Sequence, residues 1–318
     1  MMQFVVRRIT SAIPVLVVVT LVAFGMRLLI PGDPAIVLAG DGASPDDVQQ
    51  LRLRLGLDRP LIGQMETWYV GLAHGDLGTS ILLNRPVLQV FMERAPVTAA
   101  LSLYGMVITL VVGIACGIVA AIARGTWLDW ASMTFALAGV SLPNFWLALV
   151  LIFVFSVELG WLPTGGYVPI AQGGLPWLRN LTMPAISLAL LQLGLLARIT
   201  RSSMLEVLRQ DYIRTAQAIG IRDWVIYCKL AFRNALVPIV TVVGIIFSLS
   251  MGGAVVIEQV YALPGVGRFI VTSILSRDYP VLQGGLLITA GMFVLINLIV
   301  DLLYAAIDPR VRYVRRGQ

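Results

Sequence analysis

The stretch 211–257, DYIRTAQAIGIRDWVIYCKLAFRNALVPIVTVVGIIFSLSMGGAVVI, contains both halves of the problem. Its second half, from Asn234 to Ile257, has no ionisable side chain and is long enough to cross a bilayer as a helix. Backbone amides find no water in lipid, so such a run must satisfy them internally, and its residues do not alternate polar with apolar as a barrel strand would. Its first half is basic, polar and helically patterned, far longer than a turn between two spans requires.

The same test applied to the whole chain gives five further uncharged runs: Ile9–Met26, Ala95–Ala123, Trp130–Val157, Asn180–Ala197 and Tyr279–Val300. Of the 318 residues 58% are hydrophobic and 13% charged, against about 25% charged in a soluble domain. Too little polar surface remains to face water. The reading is an all-α integral membrane protein with six transmembrane helices. It divides into an N-terminal segment with the first helix (1–30), an outside cap loop (31–94), and a five-helix core (95–318) carrying a cytoplasmic loop at 198–233 between the fourth and fifth helices.

Orientation follows from the basic residues. The net charge of +6 rests almost wholly on arginine, Lys229 being the one lysine. With both termini in the cytoplasm, the inside segments hold fourteen Arg and Lys, seven of them at Arg198, Arg201, Arg209, Arg214, Arg222, Lys229 and Arg233. The short outside segments hold Arg179, Arg268 and Arg277, which agrees with the positive-inside rule. The basic balance is therefore assigned to the membrane surface and not to nucleic acid. Arg7 and Arg8 before an apolar run ending in AFG also fit a cleaved signal peptide. The run is long for that role, and cleavage would strand the basic loops, so it is read as a retained span.

The 31–94 loop carries turn signals (PGDP, DGASPDD), an amphipathic piece at Asp46–Leu55 with Ser44 as its cap, and a Gly-rich, non-helical part, HGDLGTSILLNRPV. It is either a solvated connector or a docking surface for an outside partner. Trp161, Tyr167 and Trp177, in the 158–179 loop, suit the headgroup level.

Catalytic constellations are missing. The one lysine precedes Leu230, so no phosphate-binding GxxxxGK[ST] loop exists. His74 is the one histidine, and Cys116 and Cys228 have no CxxC or CxxH neighbour. Neither a Ser–His–Asp relay nor a zinc site is expected, and no catalytic or metal residue is assigned. Polar groups within the spans are few: Asn144, Gln192, Ser248, Ser250 and Asn297. Of these, Asn144, Gln192, Ser248 and Asn297 are the candidate translocation-path residues. Asp301 shares a face with Asn297 and is read as pairing with an arginine such as Arg198 near the inner interface. No relay of acidic residues crosses the membrane, which weighs against an ion-coupled carrier.

In the basic loop, Leu205, Leu208, Tyr212, Ala216 and Ile219 fall at steps of three and four, as one helical stripe. Gly220 is placed to end that helix at positive φ, and a second helical piece is expected over Asp223–Phe232. Ala216, Ala218 and Gly220 permit close approach of another backbone; the stripe would equally suit a lipid surface.

Here a family resemblance enters. DYIRTAQAIG…RNALVPIVTVVG resembles the cytoplasmic EAA loop of ABC-transporter permeases, in the form found in the dipeptide/oligopeptide/nickel importers. RRITSAIPVLVVVTLVAF…PGDPA, LGLDRPL…GDLGTS, GVSLPNFWLALVLIFVFSVELGWLPTGG, VVIEQVYALPGVGR…RDYPVLQG and NLIVDLLYAAIDPRVRY extend the likeness to the B-type permease over nearly the whole chain, the last two and SVELGWLP being close to the glutathione and dipeptide branches. Arg214 stands where many sugar permeases of the wider group carry Glu; the peptide branch accepts it.

The resemblance implies a multi-pass permease of the bacterial cytoplasmic membrane. It pairs with a C-type permease as a heterodimer, over two ATP-binding subunits and under an extracytoplasmic substrate-binding protein. ATP and magnesium belong to the ATPase partners, and no cofactor belongs to this chain. The loop becomes a coupling helix, with Asp211, Tyr212, Arg214, Thr215, Ala216, Ala218 and Gly220 as its docking residues. Cargo remains open among dipeptides, oligopeptides, glutathione, nickel chelates and opines. An ion-coupled carrier, an intramembrane hydrolase and a membrane-anchored scaffold are the competing readings.

Overall fold

The computed structural model describes residues 2–29, 34–39, 42–54 and 56–307. The chain runs through α1 (Met2–Leu29), α2 (Pro34–Ala39), α3 (Pro45–Arg54), α4 (Leu61–Ala73), α5 (Val87–Ile122), α6 (Trp127–Ser141), α7 (Asn144–Leu151), α8 (Gly174–Leu208), α9 (Asp211–Ala218), α10 (Asp223–Val225), α11 (Phe232–Val260), α12 (Val266–Leu275) and α13 (Tyr279–Ile307). One π-helical segment, Ile152–Glu158, follows α7, and another, Ile226–Ala231, joins α10 to α11. Among the described residues the β-structure is a single isolated bridge, Thr79 to Pro86. The all-α fold expected of the uncharged runs is the fold observed.

Among the described residues, four continuous helical stretches are long and apolar enough to cross a membrane: α5, α8, the stretch from Asp223 to Val260, and α13. In α1 the apolar part among the described residues, Thr10–Met26, is shorter. Two expectations need correction. The run Trp130–Val157 is not one straight helix, because α6 and α7 meet at a bend of 105°. Pro143 causes the break. It lacks an N–H and disfavours helical geometry in the residue before it, so Leu142 is extended (φ −108°, ψ 136°). The fourth run, Asn180–Ala197, is the middle of a 35-residue helix. Charged residues end an apolar run without ending a helix, and α8 carries Arg179, Arg198 and Arg201 at its flanks.

The chain divides into two compact units, one of residues 97–267 with 296 onward, the other of 2–96 with 268–295. In the first, α8 is the hub, packing against α6, α7 and α11. Lipid tails are as apolar as leucine, so helices in a membrane associate through close packing at small residues. Along α5, Gly105, Thr109, Gly113 and Gly117 fall at steps of four and form one face. A Cβ on Gly113 would lie 3.2 Å from the Leu196 side chain, and one on Gly117 would lie 2.7 Å from the Ala197 carbonyl oxygen. Thr109 donates to Gly105 O within its own helix at 2.9 Å. The α6–α8 contact is reciprocal: Gly139 backs onto the Leu190 carbonyl and Gly194 onto that of Ala136.

Polar ties then fix these helices. Arg201 forks onto Asp129, Nε to Oδ1 at 2.8 Å and Nη2 to Oδ2 at 2.7 Å, while Gly125 N–H donates to Oδ2 at 3.1 Å. This joins the 123–129 turn to the C-terminal part of α8. The Asp129 side chain is 8% exposed and that of Arg201 29%, so the pair sits between the exposed case and the fully buried one. Asp129→Ala is expected to cost about 1–3 kcal/mol, read as a lower melting temperature of the detergent-solubilised protein. Adding Arg201→Met should recover part of that loss, since it removes the stranded guanidinium; a strictly additive double variant would contradict the coupling.

Tyr261, 1% exposed, hydrogen-bonds to Ser187 Oγ (3.1 Å) and donates to Ala148 O (3.2 Å). Glu258 is fully buried and accepts from Thr98 Oγ1 at 2.5 Å, and Thr98 Oγ1 in turn accepts from Val266 N–H at 2.9 Å. The 258–266 segment after α11 is thereby held to the start of the 97–122 part of α5.

In the second unit, α3 begins at the Ser44 cap expected from sequence, which Asp47 closes into a capping box. Ser44 Oγ accepts from Asp47 N–H at 3.2 Å, and the Asp47 carboxylate accepts from Ser44 N–H and Oγ–H. The Ser44 hydroxyl, then its backbone, hold the Asp47 carboxyl below its ordinary range. Residues 74–86 are non-helical, also as expected. They are clasped by the buried Asp278, which accepts from Ser80 Oγ–H at 2.6 Å and Ile81 N–H at 3.2 Å. Phe91 and Phe269 meet edge to face at 5.3 Å, with the Arg94 guanidinium over the Phe269 ring.

Candidate functional site

The basic loop folds as a hook between α8 and α11. The helix of α8 stops at Leu208, Gln210 adopts extended geometry (φ −71°, ψ 149°), and α9 restarts at Asp211. The stripe read through 205–219 is therefore interrupted, and its phase is reset at Arg209–Gln210. The residues of α9 that turn inward are Ile213, fully buried, and Ala216, 5% exposed. Both join a cluster with Met204, Ile226, Ala231 and Ala235. Tyr212 is 44% exposed and Ile219 71%.

Gly220 closes α9 as anticipated, at φ +77°. Gly220 N–H donates to Gln217 O at 3.0 Å and Ile221 N–H to Ala216 O at 3.1 Å, the paired bonds of a Schellman cap. One further tie pins the hook's base, Asn234 Nδ2 donating to Tyr212 Oη at 2.9 Å, while within α9 Thr215 Oγ1 donates to Asp211 O at 3.0 Å. The second expected helical piece is there, but it is not separate. Residues 223–260 run continuously through α10, the π-helical Ile226–Ala231 and α11, so the hook is rigidly continuous with a long apolar helix.

Of the seven docking candidates, Asp211, Tyr212, Arg214, Thr215, Ala218 and Gly220 are exposed on the hook. Ala216 alone faces the chain's own cluster, where its small side chain serves internal packing. Arg214 and Asp211 form an exposed pair at 3.6 Å, a contact worth little in water. Two exposed apolar side chains were not among the candidates: Ile219, part of the stripe read from sequence, and Trp224, 64% exposed. The signal for both was available, since a large apolar residue beside a Gly cap or a helix start has no neighbour on its own helix to cover it.

The four path candidates do not form one cluster. Gln192 and Ser250 bind each other, Gln192 Nε2 to Ser250 Oγ at 2.8 Å and Ser250 Oγ to Gln192 Oε1 at 3.1 Å, locking α8 to α11. Ser248 donates to Asn297 Oδ1 at 3.4 Å. Two residues along a helix is a rotation of about 200°, so the Ser248 and Ser250 pairs lie on opposite faces of α11. Asn144 begins α7, half-buried, near Gly253 of α11. The Asp301 side chain lies outside the described residues.

A helical bundle with several spans and a rigid amphipathic hook between two of them is the build of a transport permease subunit. Its fold matches a chain of the inward-facing MetNI methionine ABC transporter, with a TM-score of 0.58 at 17% identity, over 69% of this chain and 97% of that one. Residues 113–313 match the family described as "Binding-protein-dependent transport system inner membrane component", and residues 1–102 match its N-terminal companion. The chain belongs to that family, the membrane subunits of ABC importers, and is a multi-pass inner-membrane protein. A provisionally named peptide transport system permease of Brucella abortus is 52% identical over 98% of this chain and its own full length. The dipeptide transport system permease protein of Alkalihalophilus pseudofirmus is 43% identical, and the glutathione transport system permease protein of Escherichia coli O6:H1 41%, each over 98% of this chain and 100% of the relative.

Proposed function

We propose that this chain is the B-type permease of an ATP-driven importer that moves short peptides, including glutathione-like ones, across the cytoplasmic membrane. The observation that carries the reading is 41–52% identity, end to end, to relatives named for peptide, dipeptide and glutathione transport. In this assembly it pairs with a C-type permease. Two ATP-binding subunits sit beneath the hook, a binding protein docks on the opposite side, and both termini are cytoplasmic. This chain contributes the path and the lever, and hydrolysis belongs to the ATPases.

The cycle is alternating access. ATP closes the two ATPases and draws the hooks together. Because residues 223–260 form one continuous helical stretch, displacement of the hook is transmitted directly to an apolar span. The space between the permeases then opens outward and receives cargo from the binding protein, and hydrolysis resets it.

The test is uptake of a radiolabelled dipeptide by proteoliposomes holding the whole assembly. Uptake is expected only with ATP inside and the binding protein outside. Uptake driven by a proton or sodium gradient without ATP would overturn the reading in favour of a secondary carrier. Strong inhibition by a nickel chelate or an opine, with none by unlabelled dipeptide, would reassign the cargo and leave the ATP-driven mechanism standing.

A further inference from the structure

The unit of residues 2–96 and 268–295 holds a half-open cavity of about 230 Å³ that none of the coupling or path residues touches. It lies between α4, the 56–59 and 77–81 segments and the start of α13. Its walls are mostly apolar, with Trp68, Leu77 and Ile81 among them. Trp68 is fixed by ring contacts to Phe24 (5.8 Å) and Tyr69 (5.1 Å).

Two lining residues supply polarity of one kind. Gln283, 7% exposed, has a side-chain Nε2 with no hydrogen-bond partner. A buried donor without a partner is costly, and native proteins rarely keep one. Arg59 is the one charged side chain among the described residues that line the cavity. Gln64, also in the wall, is already committed, with Nε2 donating to the carbonyls of Leu57 (3.2 Å) and Arg59 (2.6 Å). The buried group left without a partner is thus a donor, and the one charged side chain in the described wall is cationic, in a largely apolar setting.

We propose that this cavity is a binding site for a small monocarboxylate with an apolar body. The carboxylate accepts from Gln283 Nε2 and pairs with Arg59, and the apolar body packs on Trp68, Leu77 and Ile81. The volume is below the ~300–1,000 Å³ of drug-sized sites, which sets the occupant at about the size of an apolar amino-acid derivative. The site is independent of the peptide-import reading, since it requires neither ATP nor a partner.

The experiment uses the full chain with its partner subunits in lipid nanodiscs, and saturation-transfer NMR with 4-methylpentanoate as probe. Empty nanodiscs correct for partition into lipid. 4-Methylpentan-1-ol, which has the same body without the carboxylate, is expected to bind at least about tenfold more weakly, the scale of a charge-assisted hydrogen bond. Gln283→Leu, which removes the donor and keeps the bulk, and Arg59→Gln, at an exposed position, should each weaken the acid about tenfold and leave the alcohol unchanged. Equal affinity for acid and alcohol, or no signal beyond empty nanodiscs, would overturn the proposal. If Gln283→Leu fails to accumulate, Arg59→Gln decides alone: unchanged affinity for the acid overturns it.

Discussion

Gly194→Leu is expected to cut the accumulation of folded protein sharply, while Gly291→Leu is tolerated. Both glycines lie inside long apolar helices, and on propensity alone leucine would favour the helix at either by just under about 1 kcal/mol. The sign is decided by what the new side chain meets. Around Gly291 a Cβ finds nothing within 4 Å. At Gly194 it falls 2.6 Å from the Ala136 carbonyl oxygen and 2.5 Å from the Val140 side chain. Val140 can turn, but the carbonyl belongs to α6 and moves only if that helix moves. α6 cannot easily retreat, because Gly139 presses the same interface from the other side, where a Cβ would lie 2.5 Å from the Leu190 carbonyl oxygen. Ordinary overpacking costs about 1–3 kcal/mol, and a clash with backbone on both sides of one helix pair lies at or beyond the top of that range. A native protein holds only about 5–15 kcal/mol in reserve. The measurement is the monodisperse fraction after detergent extraction, by fluorescence-detected gel filtration. A monodisperse Gly194→Leu protein would show that α6 and α8 are not locked as described.

That interface marks where the sequence stopped being legible. The uncharged runs located the apolar helices because lipid rewards one simple property, the lack of charge over about 20 residues. The same property cannot see contacts between helices, since a glycine at a helix crossing and a glycine facing open space are the same letter. Pro143 was in plain view within the third run, yet prolines also sit inside α5, α8 and α11 as Pro96, Pro184 and Pro238. A proline alone therefore does not announce a 105° bend; the extended Leu142 before it does, and that conformation is not written in composition.

The ion pair of Asp129 and Arg201 was hidden for a related reason. Its partners are 72 residues apart and lie just beyond two different apolar runs, where the sequence reading treated charges only as orientation markers. In the hook, Gly220 was readable because positive φ has a single-residue signature. The inward face was not, because a periodicity argument assumes one unbroken helix; past the reset at Gln210, Ile213 and Ala216 are buried, while Tyr212 and Ile219, read on one stripe with Ala216, are exposed.

Gly220→Trp is expected to leave the chain inserted and folded but to weaken its association with the ATPase subunits by about 30-fold or more and to stop peptide uptake. The reasoning separates two effects. Gly220 takes φ +77°, which costs an ordinary L-residue roughly 1–2 kcal/mol, and a Cβ placed there meets nothing within 4 Å. Strain alone therefore loosens one cap without disturbing the buried cluster around Ile213. The larger effect is bulk on the exposed end of the hook, between Ile219 and Trp224, where a partner's groove would have to admit an indole. Losing a well-packed contact at the centre of an interface costs about 2 kcal/mol or more, which is the 30-fold loss. Gly220→Asn is the control, because Asn accepts positive φ through its own local hydrogen bonding and adds little volume. It should retain most ATPase binding and uptake. Co-purification of the ATPases with each variant, followed by dipeptide uptake in proteoliposomes, reads both quantities. Equal loss in Asn and Trp variants would mean that any side chain at 220 is refused, and that added bulk is not what decides the coupling. Full uptake in Gly220→Trp would remove the hook from the path by which force reaches the spans.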